Sequence, residues 1–119
     1  MKLYLAGPMT GYKDLNHPLF HAETARLRAL GYTVVNPAEI NGDQDAKWED
    51  CMKQDIAQLV TCDGVALLPM WTTSKGARLE AYIATQLGLS VKMASDLQQR
   101  PFIATYVRKQ FADSLGVPS

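Results

Sequence analysis

The sequence predicts an α/β fold: a Rossmann-like, three-layer arrangement with helices covering a mostly parallel sheet of four to five strands. Three observations support it. Short apolar runs alternate with segments of helical spacing in the order β-α-β-α-β-α-β-α, which requires parallel strands joined by right-handed crossovers. The first three runs close on Gly7-Pro8, Asn36-Pro37 and Pro69, residues that stop strands and open turns. No internal repeat or low-complexity tract interrupts the alternation.

Each element has a local reason. Residues 3–6 form the first strand, and Gly7, Pro8, Met9, Thr10 and Gly11 read as a loop. The loop leads to a helix capped near Asn16, with Pro18 in a first turn that tolerates its missing N–H. Phe20, Thr24 and Leu27 fall on one face of that helix and Gly31 ends it. Residues 32–35 form the second strand. The polar stretch 39–47 lacks periodicity and reads as an exposed loop. Trp48 opens the second helix, where Met52, Ile56 and Leu59 recur on one side. Residues 64–69 read as a short buried strand, 71–76 as a small polar loop and 77–87 as the third helix, ended by Gly88. Residues 90–94 form a weaker fourth strand. From Asp96 onward a terminal helix is expected, with Ile103, Val107 and Phe111 as its apolar stripe.

Bulk composition narrows the function classes. At 119 residues the chain is one domain with room for a real core. Twelve basic and twelve acidic residues leave no net charge, so a general nucleic-acid surface, which needs a basic excess, is not expected. No apolar run reaches membrane-span length, so no membrane partner is expected either. Cys51 and Cys62 show neither metal-ligand nor disulfide spacing and read as buried thiols. With no signal-peptide layout at the amino terminus, the expected setting is the cytoplasm.

In an open parallel sheet, ligands gather beyond the carboxyl ends of the strands. The loops at 7–11 and 71–76 are therefore expected to face a common crevice. Ser74, Lys75 and Gly76 offer a hydroxyl, a cation and an approachable backbone at a helix start, an arrangement suited to phosphate. Neither GxxxxGK[ST] nor GxGxxG is present, which disfavours nucleoside triphosphates and dinucleotides. Glu80 lies about one turn further on and shares a helix face with Ala77 and Ala84. An acid on a small-residue, close-packed face points to chemistry more than to dipole complementation. Asp55 borders the apolar face of its helix and needs a partner or a purpose; a structural salt bridge and a functional role suit it equally. Asp63 reads as a turn residue. His17 and His21 are spaced to bind a metal, but without further ligands they read as surface histidines, and no metal is expected. Tyr4 and Trp71 suit stacking on a base and packing in the core equally well.

Tyr4-Leu5-Ala6-Gly7-Pro8, the Val35-Asn36-Pro37 strand end, Asp55 followed eight residues later by Asp63, and the run from Ser74 to Glu80 together resemble the nucleoside 2-deoxyribosyltransferase superfamily. The pattern is similar to the deoxyribosyltransferase-like domains of phages and prophages and to 2′-deoxynucleoside 5′-phosphate N-hydrolases, and it covers roughly residues 2–94. The resemblance implies a deoxyribosyltransferase-like nucleotide-binding unit at residues 1–95 with a helical extension at 96–119. It implies Glu80 as the nucleophile on the anomeric carbon and Asp55 as the assisting acid. It places substrate among Tyr4, Gly7, Pro8, Met9, Thr10, Asn36, Trp71, Ser74, Lys75, Gly76 and Ala77. Serine rather than aspartate six residues before the nucleophile implies a 5′-phosphate substrate. The chain departs from the hydrolase at Pro8-Met9-Thr10, which stands where the hydrolase has a polar segment containing arginine. The implied reaction is N-glycosidic cleavage through a glycosyl-Glu80 intermediate, with or without base transfer, without a cofactor and in a homodimer or larger homo-oligomer. A non-catalytic module that sequesters nucleotides is the alternative.

Overall fold

Strand β1 (Lys2–Ala6) comes first in the chain and lies in the interior of its sheet. The computed structural model describes residues 1–40 and 46–98. After β1 come a 3₁₀ turn (Lys13–Asn16), α1 (His17–Ala29), β2 (Thr33–Val35), the one-turn α2 (Pro37–Ile40), α3 (Trp48–Leu59), β3 (Gly64–Leu67), a 3₁₀ turn (Trp71–Thr73), α4 (Lys75–Gln86) and β4 (Ser90–Met93). A last 3₁₀ turn covers Ala94–Asp96. The sheet order is β2-β1-β3-β4, and all pairings are parallel. This is the α/β fold expected, with four strands.

The interior strands are buried on both faces, as parallel sheets covered by helices must be. Alternation then assigns each side chain a layer. Leu3 and Leu5 face one way and pack with Phe20 and Leu27 of α1, and with Tyr32 and Val34. Tyr4, Ala6, Val65 and Leu67 face the other way, onto Leu59 of α3 and Ala77, Ala81 and Ala84 of α4. Three alanines in succession let α4 approach the sheet closely, so any larger residue on that face comes up against β1. Helix α1 stops in a Schellman arrangement: the N–H of Tyr32 donates to Leu27 O (3.1 Å) and that of Gly31 to Arg28 O (3.0 Å).

Several expectations shift in detail. Residues 39 and 40 are not loop: Asn36 Oδ1 accepts from the Ala38 N–H at 2.9 Å and caps α2. Helix α4 starts at Lys75 rather than Ala77, because Ser74 Oγ accepts from the Ala77 N–H (3.1 Å) and caps it two residues earlier. Asn16 precedes α1 but does not cap it; its Nδ2 donates to Pro8 O at 2.9 Å. Asp63 is structural, its Oδ2 accepting from the Lys2 N–H at 2.8 Å. The helix expected from Asp96 does not start there: a 3₁₀ turn ends at that residue and Leu97 is extended, while the stripe at Ile103, Val107 and Phe111 lies outside the described residues. No described helix is long and apolar enough to cross a membrane.

Gly64 shows how tightly β3 and β4 are joined. A Cβ there would lie 2.8 Å from the backbone carbonyl oxygen of its register partner Ser90. Backbone cannot rotate away as a side chain can, so Gly64→Ala forces the strands apart. A loss of about 2 kcal/mol is expected, read as a lower urea midpoint at unchanged slope.

Candidate active site

Two helices bring acids to one strand. On α4, positions 77, 80, 81 and 84 share the buried face, so Glu80 follows the alanines against the sheet and is 5% exposed. On α3, Asp55 is 7% exposed and shares a face with the buried Met52 and Leu59. Tyr4, fully buried, points into the same layer because of its place in the strand alternation. Its hydroxyl donates a hydrogen bond to Glu80 Oε2 across 76 residues of sequence.

The electrostatics follow from that burial. Removal from water disfavours the ionised Glu80 and pushes its pKa up to about 8; the Tyr4 hydrogen bond opposes the rise and the negative charge of Asp55 adds to it. Tyr4 is raised well above its ordinary value, first by burial and then by Glu80 and Asp55. The phenol therefore keeps its proton as the donor while the carboxyl titrates.

These groups open on a cavity of about 220 Å³ at the carboxyl end of the sheet, below the roughly 300–1,000 Å³ of common ligand pockets and suited to a small ligand. Both layers line it. Of the residues the sequence singled out, Tyr4, Gly7, Met9, Thr10, Asp55, Ser74, Gly76, Ala77 and Glu80 are brought together here. The two loops do share one crevice. Pro8, Asn36, Trp71 and Lys75 lie outside the lining. The Pro8 carbonyl accepts from Asn16, and Asn36 is 1% exposed beneath α2. Trp71 packs against the core of the α3/α4 layer. Lys75 is exposed, its Nζ 4.0 Å from the centroid of the Trp48 ring. Among the described lining residues there are two carboxyls and one imidazole but no lysine or arginine.

Sequence reasoning missed Trp48, Cys51, His17, Leu15 and Phe20 as wall residues. The first two were accessible from helical periodicity, since Trp48 and Cys51 stand seven and four residues before Asp55 and so share its face. Cys51 is half-buried on the wall rather than a core thiol, whereas Cys62 is buried. His17 is not a surface histidine: it is half-buried and its Nε2 is sealed from solvent. Among the described residues no group of three metal-ligating side chains forms.

The phosphate-loop reading also changes in geometry. Lys75 and Gly76 form the first turn of α4, where backbone N–H groups lack intrahelical partners. Ser74 accepts from Ala77 through its hydroxyl oxygen but retains its own O–H to donate. Gly76 is needed for helix packing as well: a Cβ there would stand 3.1 Å from Met52 Sδ of α3.

Comparison with known proteins agrees with this architecture. A family profile described as "Domain of unknown function (DUF4406)" matches residues 1–93. No curated protein matches. Two solved structures share the fold. The 2-deoxyribosyltransferase of the psychrotolerant bacterium Bacillus psychrosaccharolyticus superposes with a TM-score of 0.59 at 24% identity, over 76% of this chain and 69% of that one. The 2-deoxyribosyltransferase of Leishmania mexicana gives 0.58 at 19% identity, over 76% of this chain and 61% of that one. The chain thus spans less than two thirds of the Leishmania enzyme. At these identities the likeness is one of fold.

Proposed function

The chain belongs to the DUF4406 family, and we propose that it is an N-glycosidase of the 2-deoxyribosyltransferase type, cleaving the base–sugar bond of a (deoxy)nucleoside 5′-monophosphate. One observation carries the reading: a buried glutamate on the wall of a small cavity, held by a phenol and set beside a second buried acid.

In this reading the ionised Glu80 attacks C1′ of the sugar, forming a glycosyl ester as the C1′–N bond breaks with its electron pair on the base. Water then hydrolyses the ester and restores the configuration, as in retaining glycosidases; a second base intercepting it gives transfer. Tyr4 fixes the carboxyl and releases its hydrogen bond to the oxygen left unesterified. Asp55 orients the sugar hydroxyls or takes the proton of the incoming water. The phosphate lies at the start of α4, on the open N–H groups of Lys75 and Gly76 and the Ser74 hydroxyl, with Thr10 from the facing loop. Because the described lining residues supply no lysine or arginine, this grip depends on the helix terminus and on Lys75 leaving the Trp48 ring. We extend the proposal to a homodimer or larger assembly, on the strength of the family resemblance.

Incubation with deoxynucleoside 5′-monophosphates and the matching deoxynucleosides, followed by chromatography, is expected to yield free base, faster from the monophosphates. Equal or faster cleavage of the unphosphorylated set overturns the phosphate assignment. Tight binding without base release, unchanged in Glu80→Ala, turns the reading to sequestration.

A further inference from the structure

His17 is left without a task by the chemistry above. It lines the cavity from α1, and its Nε2 is buried with no hydrogen-bond partner among the described residues. A sealed, unpaired ring nitrogen carries a desolvation cost with nothing to offset it, and native structures contain few such groups.

The backbone that delivers this ring is strained as well. Asp14, Leu15 and Asn16 have φ of 51°, 52° and 60°, three successive non-glycine residues in the left-handed region. Leu15 also lines the cavity. The turn is held by the Asn16 side chain on Pro8 O at 2.9 Å and by the Leu15 N–H on Tyr12 O at 3.0 Å. Strain of this kind persists where the surroundings over-determine a position, and it gathers at ligand sites.

The imidazole has an aromatic neighbour. His21 packs edge-on against it, centroids 6.0 Å apart and planes at 73°. Asn36 Oδ1 is occupied by the Ala38 N–H, so its Nδ2 is the donor to His21 Nδ1 at 3.3 Å. His21 is thereby held in place behind His17. His17 thus stands on the wall with its Nε2 left without a partner among the described residues.

Direction of displacement gives that nitrogen a use. Glu80 comes from the α3/α4 layer and His17 from the α1 layer. A nucleophile entering at C1′ expels the leaving group on the far side, so the base departs away from α4 and toward α1. We propose that His17 is the base-side residue of this site, its Nε2–H donating a hydrogen bond to a ring nitrogen of a departing purine. The inference rests on the glycosidase reading. In the step, a Glu80 oxygen bonds to C1′, the C1′–N bond breaks and its electron pair stays on the base. The His17 hydrogen bond stabilises the negative charge spread over the purine ring. The base then takes its proton from water, and His17 keeps its own throughout.

The test compares wild type, His17→Phe and His17→Gln on 2′-deoxyguanosine 5′-monophosphate and on its N7-methylated form. The methylated purine leaves as a neutral base and has no free lone pair at N7. His17→Phe is expected to lower kcat/KM about 30-fold on the natural nucleotide and less than about 3-fold on the methylated one. His17→Gln, which keeps a donor, is expected to recover part of the loss. Equal losses on both substrates, or no loss on either, overturn the proposal. Thermal unfolding checks the fold: with no hydrogen bond to lose, His17→Phe is expected to melt at or above wild type. If wild type releases no base from either nucleotide, the glycosidase reading fails on its own. The ¹⁵N resonance of His17 Nε2 then decides the contact: a shift on adding the nucleotide supports it, and an unmoved resonance overturns it.

Discussion

Glu80→Gln is expected to remove base release, by at least about a thousandfold in kcat, while making the folded chain more stable in alkaline buffer. The two effects share one cause. The carboxyl is buried with Asp55 nearby, and its pKa is pushed up to about 8, against about 4.3 in an unfolded chain. Between those values the native state holds a proton that the unfolded state has released. Stability from this group is therefore fully present below about pH 4.3 and is lost as pH rises through about 8. Glutamine has the same shape and no proton to lose. The variant should melt close to wild type at pH 5 and higher than wild type at pH 9, by at least roughly 5 °C; that is about 1 kcal/mol in a domain of this size, against about 5 kcal/mol for the full shift. An ordinary packing residue would show the reverse, a loss of stability that does not depend on pH. Activity that survives the substitution removes Glu80 as the nucleophile. A melting difference that is flat with pH removes the raised pKa instead.

Much of this arrangement is legible in residue order, for reasons tied to periodicity. Ala77, Ala81 and Ala84 mark a close-packed face, and Glu80 shares it by helical spacing, so a buried acid on α4 follows from sequence. Asp55 follows equally from the Met52/Leu59 stripe. The parallel sheet and the common crevice follow from the alternation of elements and from the rule that ligands sit beyond strand ends, whereas the strand order does not. What periodicity does not encode is the pairing between elements. Nothing local says that Tyr4 reaches Glu80, because strand alternation gives its layer but not its register against α4. Nothing local separates Ser74 as a cap from Ser74 as a loop residue, which is why α4 begins two residues earlier than expected. Lys75 is the sharpest case. A lysine beside a phosphate-type helix start invites an ionic role, yet its contact with Trp48 depends on α3 crossing α4. His17 fails for another reason: the left-handed turn at residues 14–16 uses no glycine, so the sequence carries no sign that the chain bends there and turns the imidazole inward.

The second large effect lies in the pH dependence of catalysis, and its value is that two neighbours of Glu80 act with opposite sign. If the ionised carboxyl is the nucleophile, kcat/KM rises tenfold per pH unit up to about 8 and levels above it, so the rate at pH 6 is about 100-fold below the plateau. Tyr4 keeps its proton across this range, since its own pKa is raised well above the usual 10, and its hydrogen bond favours the charged carboxyl. Tyr4→Phe removes that bond and moves the acid limb to higher pH, with a further loss of about tenfold at pH 7. Asp55 acts the other way, its negative charge resisting ionisation of Glu80. Asp55→Asn is therefore expected to move the limb to lower pH even as its plateau falls, because the position of the limb reports the electrostatics and the height reports the chemistry. A general loss of folding or of substrate affinity would lower both profiles without moving either limb. Limbs that move together, or a wild-type limb near pH 4, would mean that these three side chains are neighbours in the core and not a coupled catalytic group.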